Sequence, residues 1–277
     1  VKWYIAFIAV LLFGCRQPNN KTIAIKAQTH PDSIKIERID SIRQKQKEEG
    51  IADSIAQKRT IDTVLKYALQ HKGRSSYKKK LIIYSDTSLY AKLVFGHLFS
   101  NDKKHLIVVN KNNDIDVHIN VFLLDGNQFH LLISWDEGYL NYLGFEVRDV
   151  NGDHFKDFLY NWYATSGCCA RNAYNVYLYR PHAGNFTSAY RFINPTFSPS
   201  EKLIRGVEYG HPGEVPLYKY KWNGLNIDTV EYIYPADTLK KKFYLVHGYN
   251  DPKNKKILSA VPRDYQNIMG YDWFMDY

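Results

Sequence analysis

From Lys80 onward the chain is a succession of short β-rich runs separated by polar punctuation, and this rhythm constrains the fold more than any other feature. Leu81–Tyr84, Leu106–Val109 and Val121–Leu124 are apolar runs of strand-favouring residues. Asp125-Gly126 and Asn223-Gly224 are hairpin dipeptides, because both residue types tolerate the positive φ of a two-residue turn. His182-Ala183-Gly184-Asn185 marks a looser turn between Val176–Tyr179 and Phe186. From Tyr218 the run YKYKW alternates aromatic and basic residues, as a strand with one buried face does. Roughly a dozen strands are expected, at a spacing that suits antiparallel architecture. An aromatic content of 15%, with 23 Tyr, fits strands and half-buried surfaces. No long helical pattern interrupts them, which disfavours a parallel α/β fold. The expected body is all-β, an antiparallel meander of propeller-like or sandwich form over residues 73–277.

The preceding segment has a different character. Ile39, Ile42, Ile51, Ile55 and Val64 recur at roughly helical intervals, and Asp-Ser-Ile begins at Asp32, Asp40 and Asp53. Seven basic and six acidic residues are mixed between Pro31 and Thr60, a pattern for a solvated helix braced by side-chain pairs three and four apart. Residues 32–72 are therefore expected to form a charged helical spacer, broken at Gly50, with the more amphipathic Thr60–Gln70 docking on the body. A coiled coil is the alternative, but sustained heptads are absent. Residues 15–31, mostly polar with Pro18, Asn19 and Asn20, read as a disordered tether.

Residues 1–14 carry Lys2 and then a twelve-residue apolar run from Trp3 to Gly14. A bilayer-spanning helix needs about 20 apolar residues, so this run fits the core of a cleavable signal peptide. Leu12-Phe13-Gly14-Cys15 resembles the lipobox of bacterial lipoproteins. That resemblance implies acylation of Cys15, cleavage before it, and anchoring in the cell envelope. A periplasm-facing position on the outer membrane is preferred, since no acidic cluster follows Cys15. The net charge of +9 would suggest nucleic acid for a cytosolic chain, but export removes that partner. In an envelope it points to anionic head groups or an acidic partner protein. The basic clusters Lys78–Lys80, Lys240–Lys242 and Lys253–Lys256 are either solvated loop ends or a face set against such lipid. Cys168 and Cys169 are neighbours, forming either a strained vicinal disulfide or two free or intermolecular thiols.

The one stretch with chemistry in it is Asp149-Val150-Asn151-Gly152-Asp153-His154-Phe155-Lys156-Asp157. Asp149, Asn151, Asp153 and Asp157 fall at positions 1, 3, 5 and 9, and the Phe155 carbonyl supplies position 7. Calcium takes six to eight oxygens at about 2.4 Å, and alternate residues of a turning backbone can converge on one ion. Strand-forming Leu143–Val147 and Phe158–Trp162 flank the loop. It looks like the calcium loop of FG-GAP repeats, which sits between strands of propeller blades. His154 takes the position where those loops carry glycine, so a left-handed residue is expected there at about 1 kcal/mol. Over residues 115–234 the order of loop, aromatic strand, Gly-containing loop and N-x-Y-x-V-Y-L-Y is similar to a group of envelope lipoproteins that includes immunity proteins and lysozyme inhibitors. The resemblance implies a structural calcium that positions inhibitory loops. Thr165-Ser166-Gly167 is similar to the Ser-Gly segment with which invertebrate-type lysozyme inhibitors enter their target.

Catalytic frames are missing from the sequence: Ser166 lies in T-S-G-C and not G-x-S-x-G, and there is no H-E-x-x-H, Walker loop or dinucleotide fingerprint. His211 and Glu214 in G-H-P-G-E are an acid/base pair on one reading and an exposed turn on the preferred one. A glycan-acting hydrolase with dispersed carboxylates is the enzymatic alternative. The preferred expectation is a non-enzymatic, lipid-anchored binding protein, an inhibitor or immunity protein for an envelope hydrolase. A scaffold lipoprotein of an envelope complex is the other reading. Contact residues are sought in Ser166, Gly167, Arg171 and Asn172 and in Tyr209, His211 and Glu214, on loops rich in glycine and polar groups.

Overall fold

The computed structural model describes residues 31–83, 90–111, 116–138, 141–163, 172–237, 242–249, 251 and 254–276, with the backbone alone for 31–40. The chain divides into two units, Val1–Gly50 and Ile51–Tyr277. Helix α1 covers Pro31–Gln70 and runs through Gly50, which corrects the expected break. Gly50 costs the helix only about 1 kcal/mol, and its neighbours from Gln44 to Ala52 are mostly strong helix formers. Exposed pairs such as Lys58–Asp62 (2.7 Å) and Gln44–Glu48 (2.7 Å) brace the solvated stretch.

Seventeen strands follow among the described residues, more than the sequence rhythm suggests, and all pair antiparallel. The first sheet is a five-strand meander: β1 Tyr77–Ile82, β2 Tyr90–Gly96, β3 Lys104–Lys111, β4 Asp116–Asp125 and β5 Gln128–Gly138. The second joins β6 Tyr142–Arg148, β7 Asp157–Trp162 and β8 Ala173–Tyr177 to β11 Tyr190–Ile193, with the small hairpin β9 Tyr179–Arg180 and β10 Asn185–Phe186 between β8 and β11. The third runs in chain order through β12 Thr196–Ser198, β13 Leu203–Val207, β14 Leu217–Asn223, β15 Asn226–Pro235, β16 Phe243–Val246 and β17 Lys256–Leu258. Both hairpins form where expected, but each dipeptide sits one place early: Asp125 pairs with Gln128 and Asn223 with Asn226, which leaves Gly126-Asn127 and Gly224-Leu225 as the two-residue turns, with Gly126 and Gly224 at φ 57° and 60°.

The sheets stack face to face, sandwich fashion, with the second in the middle. Strand β7 shows why. Phe158 and Tyr160 pack with Ile107, Ile119 and Val121 of the first sheet, while Leu159 between them packs with Tyr218, Trp222 and Tyr232 of the third. A strand covered on both faces has no polar face, hence its run of fully buried residues. The outer faces are covered in turn. Val64 and Ala68, four apart on α1, pack on Leu93, Phe95 and Leu106 of the first sheet. The end of α1 thus belongs to the body. The outer face of the third sheet is sealed by Val261, Tyr265, Ile268 and Phe274.

Lys78, Lys79 and Lys80 are not loop ends: they lie along the edge strand β1. Lysine on an edge strand opposes pairing with a second sheet.

Candidate functional site: the Asp149–Asp157 loop and the Trp273 clamp

Strands β6 and β7 enter and leave the Asp149–Asp157 loop, and its polar side chains are turned inward on the backbone. Asp149 Oδ1 accepts from the amides of Asn151 (3.1 Å) and Gly152 (2.7 Å), and its Oδ2 from that of His154 (2.9 Å). Asn151 Oδ1 accepts from the Asp153 amide at 3.2 Å and Asp153 Oδ1 from that of Phe155 at 2.9 Å. These are successive Asx turns. His154 has φ 72°, the left-handed residue expected at position 6, and Gly152 has φ 75°.

Asp157 has a separate station at the start of β7, with no exposed surface. Its Oδ2 accepts from the Val150 amide (3.0 Å) and its Oδ1 from that of Tyr179 (2.9 Å), so it ties the loop to β9. Burial pushes its carboxyl up to about 7; those two hydrogen bonds oppose the rise, and Asp153 and Asp149 add to it.

The fit to calcium is partial. Among the described residues no three His, Cys, Asp or Glu side chains converge closely enough to hold a metal by themselves. Asp157 faces strand amides; Asp149, Asn151 and Asp153 share the loop proper, where Asn151 Nδ2 donates to Asp153 Oδ2 at 3.0 Å. What favours a cation is charge: Asp149 and Asp153 both raise the proton affinity of the buried Asp157, and a divalent ion would relieve that repulsion. Each carboxylate oxygen that accepts one amide keeps capacity for a second partner.

The second group of expected contact residues is partly visible. Ser166, Gly167, Cys168, Cys169 and Arg171 lie outside the described residues, as does Cys15. Asn172, at the end of that stretch, takes the Asn194 amide on its carbonyl (2.7 Å) and donates its own amide to Asn194 Oδ1 (3.0 Å). Its side-chain amide reaches the Met269 sulfur at 3.5 Å. The Tyr209–Glu214 loop is fixed from the same quarter. Trp273 donates its indole N–H to the Gly210 carbonyl (3.0 Å), and its own carbonyl accepts the Gly213 amide (2.9 Å). Trp273 lies on the short helix α2, Tyr271–Met275, directly after Met269 and Gly270. The C-terminal segment therefore links Asn172 to Tyr209–Glu214.

Around this clamp Tyr209 is 55% exposed and Met269 38%, and His211 and Glu214 are exposed. The backbone of Glu214 donates to the His211 carbonyl at 3.2 Å, which closes the expected turn. Glu214 also lines a cleft of about 470 Å³ with Asp237, Asp276 and the parallel-stacked Tyr234 and Tyr244. Met269 and Trp273 escaped the sequence reading; the one signal for them was the apolar spacing of Tyr271, Phe274 and Met275 after Gly270. Comparison with protein-family models, with curated proteins and with solved structures returned no match for this chain.

Proposed function

We propose that this chain is a non-enzymatic binding protein, anchored to a bacterial envelope by lipid on Cys15, that presents the surface around Asn172, Tyr209, His211, Glu214 and Met269 to an envelope protein. The observation that carries the reading is the double hydrogen bond between Trp273 and the Gly210–Gly213 backbone beside the exposed Tyr209. An exposed tyrosine on a pre-fixed loop gives contact area at low ordering cost, as binding hot spots do. The envelope position is supported by the Leu12–Cys15 pattern, and an inhibitory or immunity role by the resemblance of the Asp149–Asp157 and Thr165–Gly167 stretches. Calcium, held by Asp149, Asn151, Asp153 and the Phe155 carbonyl, serves as a structural staple that rigidifies the loop. Affinity capture from crosslinked envelopes tests this. A single hydrolase should be recovered, inhibited by the purified protein, and lost with Tyr209→Ala. Recovery of a multi-component complex without inhibition replaces this reading with the scaffold one.

A second reading rests on the cleft lined by Glu214, Asp237 and Asp276 and floored by stacked tyrosines, because carboxylates flanking a sugar ring are what glycoside hydrolysis uses. Turnover of an envelope glycan that Glu214→Gln abolishes would establish it.

A further inference from the structure

A cavity of about 430 Å³ opens beside the Asp149–Asp157 loop, where the β9–β10 turn and the β14–β15 turn approach Lys202. Its walls are chiefly apolar, from Tyr179, Pro181, Ala183 and Leu225. Two permanent cations line it, Arg180 and Lys202, together with the imidazole of His182. Among the described residues neither Arg180 nor Lys202 forms an ion pair. Among the described residues the one carboxylate at the cavity is Asp153, whose oxygens accept from the Phe155 amide and the Asn151 side chain and from neither cation.

The cavity is held open by fixed backbone. Lys202 sits in the left-handed region at φ 56°, ψ 36°, with its amide on the Pro199 carbonyl (3.0 Å) and its carbonyl on the Trp222 amide (2.8 Å). A lysine in that conformation costs about 1 kcal/mol, which the surrounding bonds must maintain. Leu225 is pinned through its carbonyl by the Tyr190 hydroxyl. Arg180 is braced across its hairpin by Nε donation to Asn185 Oδ1 at 2.9 Å. A preformed apolar hollow with a few placed polar groups is the usual make-up of a small-molecule site.

We propose that this cavity binds a single-chain amphiphilic carboxylate, its head between Arg180 and Lys202 and its hydrocarbon against Pro181, Ala183 and Leu225. Size agrees: about 430 Å³ lies in the range of small-molecule sites, about 300–1,000 Å³, and suits a medium-chain fatty acid. Charge decides the head group, since two cations with no ion pair among the described residues, set against an apolar wall, favour an anion over a neutral or cationic amphiphile. The site is separate from the clamp surface, because none of Asn172, Tyr209 or Trp273 lines it.

Calorimetric titration of the full chain with decanoate, decan-1-ol and decyltrimethylammonium tests it, all below their micellar concentrations. Decanoate should bind once per chain, about tenfold more tightly than the alcohol, and the ammonium more weakly than either. Arg180→Gln with Lys202→Gln should reduce decanoate to the level of the alcohol while leaving the alcohol unchanged. Ala183→Trp, on an exposed turn, should fill the hollow and abolish both without shifting the melting temperature. Equal affinity for the three ligands, no heat from decanoate, or decanoate binding unaltered by the charge pair or by Ala183→Trp would each overturn the site.

Discussion

Gly152 lies with its α-carbon against the Pro199 carbonyl, so that a β-carbon there would come within 2.2 Å of the oxygen and 3.3 Å of Lys202 Cγ. The Asp149–Asp157 loop is thereby keyed into the turn that leads to β13, backbone on backbone. Gly152→Ala should destabilise the protein by about 2–4 kcal/mol, adding overpacking to the cost of φ 75°. Equilibrium urea unfolding measures it. A change below about 1 kcal/mol would show that the two segments part easily.

Asp157 and Asp153 should differ sharply when truncated. Asp157→Ala leaves the Val150 and Tyr179 amides without their acceptors inside the body, which costs about 2–4 kcal/mol. Asp153 sits on the loop, and its replacement should cost about 1 kcal/mol in the absence of metal. Calcium should raise the melting temperature of the wild type but not of Asp149→Ala, and chelation should reverse the rise. Equal melts with and without chelator would remove calcium from the account.

His105 is an acid-sensitive point in the core. It is fully buried between the rings of Phe99 and Tyr179; among the described residues neither ring nitrogen makes a well-formed hydrogen bond, and the Lys103 backbone only partly offsets the burial. Burial first, then the charge of His97, pulls its pKa from 6.5 to about 4. Between those values the unfolded chain binds a proton that the folded chain refuses. Stability therefore falls as pH drops from about 6.5 toward 4 and the loss levels off below, in total about 3 kcal/mol. His105→Phe should flatten that slope and cost little at pH 7, because no well-formed hydrogen bond is lost. Unfolding at a series of pH values decides; an unchanged slope in the variant would place the acid sensitivity elsewhere.

Trp273→Phe keeps the ring on α2 but removes the N–H that holds the Gly210 carbonyl. Amide exchange of residues 210–214 should accelerate about fivefold to tenfold for the loss of one hydrogen bond, while β14 and β15 are unaffected. If exchange accelerates across the third sheet instead, Trp273 supports the core and not the loop.

Much of this was legible in the residues, and what was not has physical causes. The hairpins at Gly126 and Gly224 were readable because each turn demands a positive φ that few residue types accept. The left-handed His154 followed from the resemblance to FG-GAP calcium loops, which carry glycine at that position. Division into three stacked sheets was not readable: Leu106–Val109 and Phe158–Tyr160 are buried on both faces, which erases the alternation that marks orientation. Gly50 misled because local propensity says little inside a forty-residue helix of strong formers. The clamp was hidden because Trp273 reaches back 63 residues to Gly210, a relation no local pattern encodes.

The seal formed by Val261, Tyr265, Ile268 and Phe274 also has a meaning in time. Synthesis runs toward the C-terminus, so Leu217, Ile233 and Phe243 stay bare until those residues have emerged. Until Phe274 has been made, that apolar face of the third sheet has nothing over it, so folding of the sheet is tied to the arrival of the segment that covers it.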